Sequence, residues 1–166
     1  STFADGVSAL TTATIIGLIN STSYDFRVTA VNAIGPGIAS VVSSATPYNP
    51  SDRYWVGGTG NWSDITHWSN VDGGTGGQTV PTSANDVYFS AGSFSTDGSI
   101  VTIDATSNTN SLDFSGITKT MTLINLTNTL NVYGSLVLSN KLSTSFGGGW
   151  GGGSLYFKAT TSGKII

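Results

Sequence analysis

The residues with the most chemical potential lie within one short stretch, Tyr54-Trp55-Val56-Gly57-Gly58-Thr59-Gly60-Asn61-Trp62-Ser63-Asp64-Ile65-Thr66-His67-Trp68, which holds three of the four tryptophans and the only histidine. Such a cluster of rings has two uses. Exposed, Trp55, Trp62 and Trp68, with Trp150 further along, would offer a stacking platform to sugar rings or a contact for a partner protein. Buried, each ring removes roughly 200 Å² from water, and together they seed a core in a chain poor in long aliphatic side chains. The buried cap is the preferred reading. His67 has no cysteine, second histidine or glutamate to complete a metal site, and no evident nucleophile to activate. It reads as a hydrogen-bonded structural residue. Glycoside hydrolysis needs paired carboxylates at a set separation. The candidates, Asp104 and Asp113, flank loops and read better as turn residues. The chain is therefore expected not to be an enzyme, with no catalytic, cofactor-binding or metal-binding residues.

The elements that must position these rings are short. Tyr54-Trp55-Val56 has strand propensity. Gly57-Gly58-Thr59-Gly60 breaks the strand with a tight turn or bulge. Asn61-Trp62-Ser63 then reads as the second arm of a hairpin. Trp62 and Trp68 share a face if the segment stays extended. Ser63 or Asp64 could instead cap a short helical turn.

Composition agrees with strands and turns. Charged residues make up 9% of the 166-residue chain, and all nine acids are aspartate, against a usual charged share of about 25%. Glycine occurs 22 times, and there are no cysteines. Disulfides and thiolate metal sites are excluded. A net charge of −3 and six scattered basic residues leave no phosphate-binding patch, so no nucleic acid is expected. No stretch approaches 18 consecutive apolar residues, so no membrane-inserted helix is expected. The fold class predicted is all-β.

In residues 1–47, Thr12–Ile16 is a candidate strand, Tyr24–Val31 alternates as a half-buried antiparallel strand, and Ile38–Ala45 is a further strand after the Asn32–Gly37 turn. Leu18-Ile19-Asn20-Ser21-Thr22-Ser23-Tyr24-Asp25-Phe26-Arg27-Val28-Thr29-Ala30-Val31-Asn32, with Gly35 and Gly37, resembles the second half of a fibronectin type III domain. The resemblance covers about residues 10–47 and implies a tyrosine corner at Leu18 and Tyr24, where the hydroxyl ties back to backbone upstream. It implies a spacer or adhesion module without catalytic residues. A whole sandwich of this kind has about 100 residues and seven strands. The earlier strands have no counterpart here, so the polypeptide is expected to be a segment of a longer chain, truncated at its C-terminus as well. Residues 48–53 read as a linker stiffened by Pro47 and Pro50.

Residues 54–166 form the second expected domain. The glycine-rich run Asp72–Gly77 lacks the Lys-Ser/Thr of a phosphate loop and reads as a surface loop. From Ile100 on, apolar pairs two residues apart recur: Val101/Ile103, Leu112/Phe114, Met121/Leu123, Leu130/Val132 and Leu136/Leu138. Short strands at this spacing fit a β-solenoid, with a β-sandwich as the alternative. Trp55-Val56-Gly57, Asn61-Trp62-Ser63-Asp64, His67-Trp68, Val80-Pro81, Asp86-Val87-Tyr88-Phe89 and Val101-Thr102-Ile103 resemble a module of phage virion proteins, autotransporter-like passengers and large bacterial surface proteins. The pattern is also similar to the eight-glycine domain. The resemblance implies the start of a right-handed β-helix, with the tryptophans near its capped end.

The function expected from these resemblances is a structural or adhesive part of a phage virion, as a tail, fibre or head-decoration protein on the virion surface. The alternative is a secreted or cell-surface bacterial adhesin or glycan-binding module. The expected partners are other virion or surface proteins, further copies of the chain (a trimer among the options), and a host surface glycan.

Overall fold

A computed structural model describes residues 12–20, 22–146 and 152–165. The described residues are all-β, with one 3₁₀ turn at Ile65–His67. They divide into two units, one up to Asn49 and one from Pro50.

The first unit is built on antiparallel pairing. Strand β1 (Tyr24–Phe26) pairs with β4 (Ser43–Ala45), and β2 (Val31–Asn32) pairs with β3 (Gly35–Pro36). The side chain of Asn32 accepts hydrogen bonds from the Ile34 and Gly35 N–H groups, which folds the turn between β2 and β3. The Tyr24 hydroxyl accepts a hydrogen bond from Ile19 N–H at 3.0 Å, a tie five residues upstream. Residues 12–16 form no strand, and the strand expected over 38–45 contracts to β4. The reason is the shortage of neighbours. A strand is stabilised by packing one face, and here that face is open: Ile34 and Ile38 are almost fully exposed, and Val28, Val31 and Val41 largely so.

The second unit follows a different plan. Its strands are β5 (Arg53–Trp55), β6 (Gly60–Asn61), β7 (Trp68–Ser69), β8 (Val87–Tyr88), β9 (Ser99–Thr102), β10 (Ser107–Thr109), β11 (Leu112–Asp113), β12 (Met121–Asn125), β13 (Thr129–Val132), β14 (Leu136–Val137), β15 (Leu142–Phe146) and β16 (Ser154–Phe157). They assemble into three parallel ladders, ordered β5-β8-β11-β14, β6-β9-β12-β15 and β10-β13-β16. The chain visits the ladders in turn and returns after a near-constant interval. Leu112 lies beside Leu136, Ser99 beside Met121, Met121 beside Leu142, and Ser107 beside Leu130, so partners are 21 to 24 residues apart.

This repetition stacks like on like. Val87, Leu112 and Leu136 lie on successive strands of one ladder, and Val101 and Leu123 on another. All point inward and are buried. The apolar pairs of the sequence are therefore the inward positions of successive strands, since alternate side chains point to one face. Leu138 is the exception and is 58% exposed.

The expected hairpin across Gly57–Gly60 does not form. Strand β5 pairs antiparallel with β7 instead, placing Trp55 opposite Trp68, while β6 runs parallel to β9. The first strand starts at Arg53, whose buried guanidinium donates to the carbonyls of Pro50, Asp52 and Thr79. Residues 50–53, expected as linker, thus anchor this unit.

Candidate functional site

The fifteen-residue aromatic stretch is the most constrained part of the molecule. Glycines make the tight path possible. Gly57 and Gly58 take φ of 84° and 80°, in the left-handed region that suits only glycine well. Asp64 then caps the 3₁₀ turn by accepting from the N–H and hydroxyl of Thr66. Those bonds, led by the backbone N–H, hold the Asp64 carboxyl below its ordinary value. The turn reverses the chain so that Trp68 returns beside Trp55.

Trp55, Trp62 and Trp68 each have 0% exposure. A ring with no accessible face cannot stack on a sugar, so these residues form an internal cap and not the exposed contact considered from sequence. Trp150 lies outside the described residues. Trp68 meets Trp55 and Trp62 edge to face, at centroid distances of 5.1 and 4.7 Å. Such pairs add about 0.5–1.5 kcal/mol each beyond the area they bury. From this cap a column of stacked rings runs along one ladder: His67 on Trp55 at 4.6 Å, Trp55 on Phe89 at 5.8 Å, and Phe89 on Phe114 at 4.6 Å.

The polar edges of the rings are not equivalent. Trp55 Nε1–H donates to the Gly58 carbonyl and Trp68 Nε1–H to the Trp62 carbonyl, both at 2.7 Å. Trp62 Nε1–H is buried without an acceptor among the described residues. An orphaned buried donor costs about 1–3 kcal/mol, so Trp62 is held by packing alone.

His67 is part of the same construction. Its Nδ1 lies 2.7 Å from the Val56 carbonyl, which can only accept, so Nδ1 carries the proton. The Val56 N–H donates in turn to the His67 carbonyl. Its Nε2 edge sits directly over Gly60, where a Cβ would collide with the ring. Among the described residues no three histidine, aspartate or glutamate side chains are grouped to hold a metal ion.

The candidate carboxylates are used in turns. Asp104 accepts from both the N–H and the hydroxyl of Ser63, tying the end of the second ladder's strand to the cap. Asp113 accepts from the Ser115 N–H on the outward side of another ladder. They serve different turns and form no acid–base pair with each other.

Sequence reasoning missed two contributors. The glycine-rich loop is part of the cap: Gly77 N–H donates to the Ile65 carbonyl, Gln78 N–H donates to the Trp68 carbonyl, and a Cβ on Gly76 would overlap the Thr66 carbonyl. The signal was the glycine density itself, which marks close backbone approach as well as loops. The second is an outward pair, Tyr54 and Tyr88, stacked at 5.0 Å on adjacent strands. Partial burial, followed by the charges of Asp52 and Asp86, pushes the Tyr88 hydroxyl up to about 12. Their shared position one residue before Trp55 and Phe89 was visible but carried no meaning until the register was known. No known family model, curated protein or solved structure matches this chain.

Proposed function

We propose that the chain is a non-enzymatic structural or adhesive component of a phage virion, a segment of a longer modular protein from a tail, a fibre or the capsid decoration. In this reading residues 54–166 are a β-solenoid and the unit before them is a fibronectin type III spacer. The observation that carries the proposal is the set of three parallel ladders stacked at a near-constant interval and sealed by buried tryptophans. Such a rod obtains rigidity from repetition and needs no cofactor. The turn duties of Asp104 and Asp113 favour a structural role over glycoside cleavage. The Ile19–Tyr24 tie supports the fibronectin-type reading, and the exposed apolar face of Ile38 and Val41 supports a unit completed by further strands.

The test is the size of the native assembly that carries the chain, together with the intact mass of the chain. A chain heavier than 17.0 kDa, present in fixed copy number on a megadalton particle, is the expected result. A free species of that mass would overturn the proposal.

The second reading, a cell-surface adhesin that contacts glycans, is favoured only by the outward Tyr54–Tyr88 stack with Asp113 on the next strand. It requires Tyr88→Ala to abolish glycan binding while leaving the unfolding midpoint nearly unchanged.

A further inference from the structure

We propose that the last strand of each parallel ladder, β14, β15 and β16, forms one docking edge for an acidic β-strand of a partner protein. The assignment is independent of which particle or cell carries the chain.

The two ends of the ladders differ. At the tryptophan end, β7 covers β5, and the glycine loop covers β7 in turn. At the other end β14, β15 and β16 are the outermost strands. An outermost strand presents a row of N–H and C=O groups that can pair with another chain. One such group already does so: the Leu136 N–H donates to the Ile165 carbonyl at 2.8 Å, and the Ile165 N–H donates to Ser135 Oγ. The edge thus takes a passing extended segment. The interior beside it is apolar and open. Leu138 is 58% and Phe157 43% exposed, and Leu142, Phe146 and Leu155 are only partly covered.

Charge selects the occupant. Each edge strand has a lysine at its margin. Lys141 directly precedes β15, Lys158 directly follows β16, and Lys164 adjoins the residue bonded to β14. All three are exposed. No acidic residue occurs after Asp113 anywhere in the chain. Asp97, before the first strand of the β15 ladder, is already engaged by the Thr120 N–H. A second copy offering the same edge would set lysine against lysine, which disfavours self-pairing. A strand with carboxylates on its polar face and aliphatic side chains on the other would satisfy the backbone edge, the apolar opening and the lysines together.

The experiment uses the whole chain with two synthetic peptides, one alternating valine with aspartate and one alternating valine with lysine. Binding is read by fluorescence anisotropy, and the site by amide hydrogen exchange. The expected result is that the aspartate peptide binds about tenfold more tightly than the lysine peptide. It should slow exchange in β14–β16, and the double change Lys141→Glu, Lys158→Glu should invert the preference. The milder pair Lys141→Gln, Lys158→Gln should abolish it, which keeps the test informative if the glutamate variant does not fold. Equal binding of both peptides, binding of neither, protection elsewhere, or a self-associated chain in sedimentation would each overturn the proposal.

Discussion

The two units of this chain use similar residues to opposite effect. Up to Asn49, valines and isoleucines alternate as strands should, yet Ile34 and Ile38 are almost wholly exposed and the ladders are two or three residues long. From Pro50, strands no longer than five residues enclose rings and aliphatics at 0–6% exposure. Strand propensity is thus not what separates them. The second unit brings its own neighbour to every buried strand at the next pass of the chain, and the first has no second layer over its apolar face. Local pattern makes a strand eligible; a partner surface makes it stable.

The largest effect should come from the cap. Trp68→Ala removes a ring from the centre of the cluster and is expected to cost about 3–5 kcal/mol in denaturant unfolding of the second unit. A loss under about 1 kcal/mol would mean that the ring is not core. Gly76→Ala comes next, at about 1–3 kcal/mol, because the new methyl meets the Thr66 carbonyl on fixed backbone. Comparing Trp68→Phe with Trp62→Phe sharpens the account. The first leaves the Trp62 carbonyl without its donor, while the second removes a donor that has no acceptor. Trp68→Phe should therefore be the more damaging by about 1 kcal/mol. Equal losses would show that the hydrogen bond at Trp68 carries no weight.

Much of the second unit was legible in its sequence, for identifiable reasons. The apolar pairs from Val101/Ile103 to Leu130/Val132 mark inward positions because side chains alternate along a strand. Asp64 as a cap follows from its short carboxylate ahead of Thr66. Partnership was not legible. Gly60 and Asn61 look like the return arm of a hairpin, yet they pair with Val101 and Thr102, 41 residues later. Nothing local in a parallel ladder announces so distant a partner. The cap reading of the tryptophans followed from their number and size, whereas the contribution of Gly76 and Gly77 required seeing which backbone they touch. Of the outward surface only propensity could be read, so the Tyr54–Tyr88 stack went unseen.

Two smaller effects complete the contrast. Tyr88 should titrate near pH 12 when followed by its ultraviolet absorbance. Its folded pKa is raised, so its contribution to stability is fully present below about pH 10, the unfolded value, and is lost as pH rises to about 12. A midpoint near 10 would mean that the ring is freely solvated. Smallest of all, Ile38→Ser should change the stability of this chain by less than about 0.5 kcal/mol, because the side chain is 99% exposed. A large loss there would reveal that the face is covered.

The most direct test of the central claim is residue-resolved amide hydrogen exchange under native conditions. If the tryptophan cap is the closed core of a parallel stack, the N–H groups of Trp62, Phe89, Ile103 and Leu112, bonded between successive strands, should exchange only through global opening of their unit. Those of Gly37 and Ser40, bonded within the open first unit, should exchange orders of magnitude faster. Comparable protection in the two sets, or early exchange at Trp62, would contradict the account.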